Sequence, residues 1–452
     1  MQRIEIHNFR QIASANVQVN DLTVVIGEQA SGKSTIAKLV YFFKSLRKDL
    51  VEMSRSREDI NGLKISNKVR DKFYLYFGST ARLAEDYSIK FFFDVEKSIT
   101  IRGQRPPDVR FEPQGWFNEI EKEIKRATVL VSHYIDRENL TAVEQEVGIL
   151  DDAMSTIFGE NSDTIYIPAG RNITVSYTDE FLALFSGLVK VKTEVQLGAD
   201  GLPKRNDAEE IDLILLRDFM LHSSNLRKSY RGVGMNGMLD QIGNAQVREG
   251  LAQRILGLLK ANYRYNTTRG EFLVLENGIT RELSKASSGQ QEAIRIVQDA
   301  ILQIADAEAV FRVIEEPEAH LFPSGQRNMM EILAALINTK PEKGLRDNQI
   351  FITTHSPYIL NILNNLIFAG DLSANGASDA ALKAAGIPEI FSLKPQQVSA
   401  YMLTGEGQCE PINDTAKGDL SENATGAIGG NVLENYWNDL QNQFDDLMEL
   451  SV

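Results

Sequence analysis

Apolar and polar positions alternate from the first residues of the chain. In "MQRIEIHNFRQI", Ile4 and Ile6 stand between polar neighbours, the period of a strand. In "VNDLTVVIGEQASGKSTIAKLVYFF" the mainly apolar run 22–26 predicts a strand buried on both faces, followed by a glycine loop and a helix. The charged stretch 45–86 reads as helical, "YSIKFFFDVEKSITIRG" (87–103) as a hairpin of two strands, and "WFNEIEKEIKRATVLVSHYI" (116–135) as a helix. "DTIYIPAGR" (163–171) predicts another buried strand running into a turn. Residues 179–265 read as predominantly helical, and "EFLVLENGITRELS" (271–284) as a hairpin turning at Asn277–Gly278. The spacing then predicts helix 290–307, strand 309–314, helix 324–339, strand 349–353, helix 357–366 and a last strand at 398–403. In the tail, Val432, Tyr436, Leu440, Phe444 and Leu447 recur at helical spacing and form one apolar face. Strands and helices in this order predict an α/β fold.

Composition narrows the setting. A chain of 452 residues holds two or three domains, and 43% hydrophobic with 24% charged residues is ordinary for a soluble globular protein. No apolar run is long enough to predict a membrane helix, and the N-terminus has no apolar segment of the signal-peptide kind. The one cysteine, Cys409, excludes a disulfide framework or a cysteine zinc site within one chain, so a cytoplasmic protein is expected. The net charge is −14, and residues 419–452 carry seven acidic and no basic side chains, half of that excess. An acidic chain is a poor general binder of nucleic acid. "LRKSYRG" (226–232) and "FFKSLRK" (42–48) are candidate basic patches, both read as solvated helix faces.

Four stretches carry chemistry. "GEQASGKST" (27–35) fits G-x-x-x-x-G-K-[ST]. In this pattern Gly27 and Gly32 let the backbone amides face phosphate oxygens, Lys33 reaches the terminal phosphates of a nucleoside triphosphate, and Ser34 holds Mg²⁺. "VFRVIEEPEAHLFP" is a second buried strand ending in acid, where one of Glu315 and Glu316 can sit beside the metal and the other can face the attacking water. The third glutamate, Glu318, has no catalytic role in this reading and faces the turn or a neighbouring copy. "KASSGQQEAIRIV" (285–297) begins a helix with Ser287 or Ser288 as its cap, and a Ser-Ser-Gly helix start is an anion site. One triphosphate needs no second such site, so the economical reading is that Ser287–Gln290 serves a second copy, head to tail. "IFITTHSPYIL" (350–360) places His355 at the carboxyl end of a strand, where α/β ligand sites collect. His7, His133 and His222 lack that context and read as structural.

The order of "GEQASGKST", "SSGQQ", "VIEEPEAHLFP" and "TTHSPYIL" resembles the heads of ABC-type ATPases, the signature-motif ATPases of transporters, SMC proteins and repair ATPases. "EEPEAHLFP" and "TTHSPYIL", with "IEIHNFRQI" and "YIPAGR", look like the AAA branch grouped with the OLD proteins, which supplies ATPase subunits of several bacterial anti-phage systems. The motifs cover roughly half the chain. The resemblance implies an α/β P-loop NTPase of ABC-ATPase type with a mixed sheet, an antiparallel β subdomain and a helical insertion. The head would comprise 1–44, 87–103, 163–178 and 268–403, with helical insertions at 45–86, 104–162 and 179–267 and an acidic tail at 404–452. It implies that Gly27, Glu28, Gln29, Ala30, Ser31, Gly32, Lys33, Ser34 and Thr35 bind ATP, with Arg10 as a further contact. Ser287, Ser288, Gly289 and Gln290 would act on the partner's ATP as the signature. Glu315 and Ser34 would take the Mg²⁺ position, Glu316 would be the general base, and His355 the switch histidine. Three features depart from the pattern: Gln29-Ala30 where Asn-Gly is usual, Ser288 for glycine, and Glu315 for aspartate. No Q-loop glutamine is placed.

The function implied is an ATP- and Mg²⁺-dependent ATPase that dimerises around ATP. It would act as sensor or scaffold for a separate nuclease effector, as in Septu-type or PARIS-type systems. The alternative is a DNA-repair or recombination ATPase that binds DNA directly. No membrane partner is expected.

Overall fold

The computed structural model describes residues 2–55, 60–78, 86–103, 109–176, 207–340, 348–418 and 426–429. One sheet of 11 strands dominates it, in the order β6-β5-β4-β1-β2-β14-β13-β3-β12-β11-β7. Its strands are β1 (Gln2–Phe9), β2 (Ile12–Val19), β3 (Leu22–Gly27), β4 (Ser88–Phe92), β5 (Ser98–Gly103), β6 (Val109–Pro113), β7 (Asp163–Ile167), β11 (Val310–Glu315), β12 (Gln349–Thr354), β13 (Val398–Leu403) and β14 (Gln408–Pro411). The remaining strands, β8 (Ala261–Asn266), β9 (Gly270–Leu275) and β10 (Thr280–Glu282), form a separate antiparallel sheet.

The large sheet has two halves. From β13 to β7 every pair is parallel. Every residue of β11 and β12 is buried, as expected of strands covered by helices on both faces. From β6 to β2 the pairs are antiparallel, and β1 alternates buried with half-exposed residues along most of its length. The strand β14 joins the halves: it pairs antiparallel with β13 and parallel with β2.

Alternation along the parallel strands feeds two cores. Val25, Phe311, Val313 and Phe351 pack on one face with the helices Lys33–Glu52, Gly62–Phe77, Phe117–Ile135 and Leu140–Phe158. Val24, Ile26, Ile314, Ile350 and Ile352 pack on the other with Ala245–Leu259, Ser288–Asp306, Pro323–Asn338 and Pro357–Ala374. The result is an α/β/α sandwich with a mixed sheet, the fold class expected.

Several elements differ from the sequence reading. The opening stretch is two strands rather than one, because the chain turns at Arg10–Gln11, with Asn8 and Arg10 in the left-handed region. Strand β8 occupies the end of the region read as helical, where Lys260 at φ 52° stops the preceding helix. Strand β13 is followed by β14, so it is not the last. The helix expected at 357–366 runs on to Ala374. The strand in 163–171 lies at the sheet edge, and its first three residues are exposed or half-buried. "FFKSLRK" is not a solvated face: Phe42 to Arg47 are buried, Lys44 is ion-paired with Glu160, and Arg47 with Asp151. The amphipathic tail at 432–447 lies outside the described residues.

Candidate active site

The parallel register collects the candidate residues. Glu315 is level with Thr353, Thr353 with Val25, and Leu403 with Gly27. The carboxyl ends of β3, β11, β12 and β13 therefore meet at one edge, where ligands of open α/β sheets bind.

Tight packing and left-handed backbone shape the loop after β3. A Cβ at Gly27 would overlap the carbonyl of Leu403, so only glycine fits there. Gly32 has φ 111°, which glycine adopts freely. Ala30 also has a left-handed φ of 62°, at a roughly 1 kcal/mol cost for an L-residue. That gives a physical reason why glycine is the usual residue at this position. The turn of Arg10–Gln11 lies alongside, since a Cβ at Gly32 would sit 3.5 Å from Gln11 Cβ. Arg10 itself donates to the Phe77 carbonyl at 2.6 Å and lies over the Phe77 ring.

The helix Lys33–Glu52 has no side-chain cap at its start. Its first amides and its dipole are thus available to an anion. Ser31 Oγ is buried with no hydrogen-bond partner among the described residues. Lys33 is 5% exposed, and its Nζ donates to Gly27 O at 2.8 Å and Glu28 O at 2.6 Å. Burial lowers the Lys33 pKa, and Glu316 and Glu318 oppose that by favouring the ammonium. Glu28, Gln29, Ala30 and Ser34 are exposed, and Thr35 is buried. An uncapped 20-residue helix, a free buried hydroxyl and a lysine held by carbonyls make a donor set that fits a phosphate chain.

His355 bridges the lysine and the second glutamate. Its Nδ1 lies 3.4 Å from Lys33 Nζ, and its Nε2 lies 3.2 Å from Glu316 Oε1. A neutral ring protonated on Nε2 satisfies both contacts, donating to Glu316 and accepting from Lys33. Glu315 points elsewhere. Its Oε1 accepts from the Tyr166 hydroxyl at 2.8 Å and its Oε2 from the Ala169 amide at 3.1 Å. The two glutamates diverge partly through strand alternation and partly because Glu316 itself is left-handed, with φ 44°. The Glu316 amide donates to Thr353 O at 2.8 Å, which pins the bend.

Glu318 corrects the sequence reading. Rather than facing a turn or a neighbouring copy, its Oε1 accepts from Thr354 Oγ1 at 2.6 Å and from the His355 amide at 2.9 Å. It ties the loop after β11 to the residue that carries the bridging imidazole. Arg171 is a second residue that the sequence reading did not place in the site. It is fully buried and donates to the carbonyls of Pro168, Glu292, Glu315 and Glu316 at 2.8–3.1 Å. Its only sequence signal is its place in "YIPAGR", directly after a strand. That segment, without a glutamine, follows the strand next to β11.

Ser287 caps the helix Ser288–Asp306, with Gln290 completing a capping box. Gln290 Nε2 also donates to Leu259 O at 2.5 Å. A Cβ at Gly289 would lie 2.6 Å from the His320 carbonyl, so this helix start packs against the loop after β11. Among the described residues, the hydrogen bonds of Ser287 and Gln290 stay within this cap or reach Leu259, and none goes to the loop 27–35.

The family model for the AAA ATPase domain matches residues 1–146 and 207–360. The chain belongs to this family. Among curated proteins, none matches it. Solved structures that are similar include an SMC head bound to the C-winged helix domain of ScpA, 12% identical over 80% of this chain and 90% of that one, with TM-score 0.34. The Smc head with an extended coiled coil from Pyrococcus furiosus is 10% identical over 91% of this chain and 96% of that one, with TM-score 0.36. The recombination mediator protein RecF is 10% identical over 91% and 97%, with TM-score 0.32. No described helix of this AAA-family chain is long and apolar enough to cross a membrane.

Proposed function

We propose that this chain hydrolyses ATP with Mg²⁺ and that two copies close head to tail around the nucleotide. The observation that carries the hydrolytic reading is His355, held between the Lys33 ammonium and the Glu316 carboxylate. Bound Mg²⁺-ATP supplies the phosphoryl group and neutralises charge on it. Lys33 binds phosphate oxygens in exchange for the carbonyls of Gly27 and Glu28. Glu316 takes the proton of a water at Oε1, and His355 Nε2 orients that carboxylate. Glu315 keeps spare lone pairs beyond its bonds to Tyr166 and Ala169, and with the exposed Ser34 hydroxyl these suit the shell of a hard cation. Arg10, tied to Phe77, borders this site. Ser287, Ser288, Gly289 and Gln290 face the nucleotide of the second copy, a reading supported by the bonds of Ser287 and Gln290, none of which, among the described residues, goes to their own phosphate loop.

The wider role rests on the resemblance of "EEPEAHLFP" and "TTHSPYIL" to the OLD-like branch. In it the closed pair of heads holds or releases a separate nuclease effector in anti-phage defence, in the cytoplasm. The test separates own-site from partner-site residues. Ser287→Arg is expected to keep ATP binding and lose turnover, whereas Lys33→Ala loses both. Normal turnover by Ser287→Arg would refute the head-to-tail pair. Steeply salt-dependent DNA binding by the chain alone would favour the repair reading instead.

A further inference from the structure

One face of the helix Ser288–Asp306 is unusually polar for a buried surface. Glu292, Arg295, Asp299 and Gln303 follow one another at helical spacing, and none is more than 7% exposed. Asp299 and Gln303 reach the strand that leads into Glu316 directly, and Glu292 reaches it through Arg171. Asp299 pairs with Arg312 on β11. Glu292 pairs with Arg171, whose guanidinium is 0% exposed.

The Arg171–Glu292 pair joins three separate pieces of backbone. Arg171 Nε donates to Glu292 O at 2.9 Å, Nη1 to Glu315 O at 2.8 Å and Pro168 O at 3.1 Å, and Nη2 to Glu316 O at 2.9 Å. The Glu292 carboxylate accepts from the Asn172 amide at 3.3 Å and lies 3.4 Å from Arg171 Nε. A guanidinium is a rigid planar fork, and a bond lost by one this deeply buried leaves a costly unpaired polar group. A shift of the helix start is therefore passed to the backbone of Glu315 and Glu316. Glu316 is sensitive to it. Its left-handed φ is framed by three hydrogen bonds to its own backbone: the Arg171 guanidinium and the Ala319 amide both donate to its carbonyl, and its amide donates to Thr353 O. Stability alone is a weak reason for a buried ion pair here, because desolvation offsets most of its Coulomb gain.

We infer that Arg171 and Glu292 are positioning residues that couple the Ser287–Gln290 helix start to Glu316 of the same chain. The inference rests on the head-to-tail reading above. When the helix start closes on the second copy's nucleotide, the guanidinium sets the geometry of the chain's own catalytic glutamate. The two ATP sites of a pair then fire together.

The test uses the full chain and two variants. Glu292→Gln keeps shape and removes the charge. Arg171→Lys keeps the charge and removes the fork. In the unaltered protein, hydrolysis is expected to rise cooperatively with ATP. Glu292→Gln is expected to bind ATP within about twofold of it, to lose turnover by at least about fivefold, and to bring the Hill coefficient toward one. Arg171→Lys is expected to show the same split between binding and turnover. A merely structural pair would lower Tm and affinity without that split. If the unaltered protein is cooperative and Ser287→Arg is inactive, yet folded Glu292→Gln keeps its turnover and Hill coefficient, the coupling is overturned and the head-to-tail pair stands. If Ser287→Arg turns over normally and cooperativity is absent, both fall together.

Discussion

Replacing Glu318 separates hydrogen bonding from charge at the site. Glu318→Ala removes the acceptor of both Thr354 Oγ1 and the His355 amide, while Glu318→Gln keeps an amide oxygen in the same place. Hydrogen bonds to a charged group each contribute about 1.5–3 kcal/mol. The alanine variant should therefore lose roughly 2–4 kcal/mol in all, after some relaxation by the half-exposed loop. Part of that appears as reduced stability and part as loosened His355, whose ring lies 3.2 Å from Glu316 and 3.4 Å from Lys33. A displacement of about 1 Å at such a bridge is worth on the order of 100-fold in rate. Steady-state ATP hydrolysis with Mg²⁺ and a thermal melt measure the two parts. Glu318→Ala is expected to melt lower and turn over at least about tenfold more slowly, and Glu318→Gln to stay within about threefold. An alanine variant with the original melting point and turnover would refute the tie. A glutamine variant as slow as alanine would assign the effect to charge on Lys33 instead.

Two further outcomes follow from packing and charge. Burial would raise the Asp299 pKa, but Arg312 and then His222 outweigh it and hold the carboxyl at about 2, against 3.8 in the unfolded chain. The folded state thus gains about 2 kcal/mol above pH about 4, lost as pH falls toward about 2. Asp299→Asn should flatten this part of the pH dependence in denaturant unfolding, and an unchanged slope would contradict it. Gly289→Ala should cost about 1–3 kcal/mol by forcing the added methyl against the His320 carbonyl, read as a fall in Tm. An unchanged Tm would mean that this contact yields freely.

The parallel half of the sheet was legible because both faces of its strands are covered. The mainly apolar runs ending in Gly27, Glu315 and Thr354 read as buried strands, and each ends in the residues the site uses. Elements held by distant partners were not legible. Strand β14 is four residues of mixed polarity, and although it pairs with its neighbour β13, its other edge is held by β2, nearly 400 residues earlier. Strand β8 continues an apolar spacing that also suits a helix, and only the left-handed Lys260 breaks it. The same limit hid Glu318 and Arg171. Their roles lie in contacts with Thr354 and Glu292, 36 and 121 positions away, and no local pattern marks a carboxylate or guanidinium for such a partner. Lys44 and Arg47 misled for the opposite reason: in sequence they look like a solvated basic run, yet Glu160 and Asp151 pair with them on the buried side of their helix.

The central claim is that Glu316 is the group that activates water, while Glu315 is held apart by Tyr166 and Ala169. Measuring ATP binding, ATP turnover and particle mass with Glu316→Gln and Glu315→Gln side by side tests it most directly. Glu316→Gln is expected to bind ATP like the unaltered chain, to lose turnover by about 100-fold or more, and to accumulate as the ATP-bound pair. Unchanged turnover by Glu316→Gln, with turnover abolished in Glu315→Gln, would reverse the assignment.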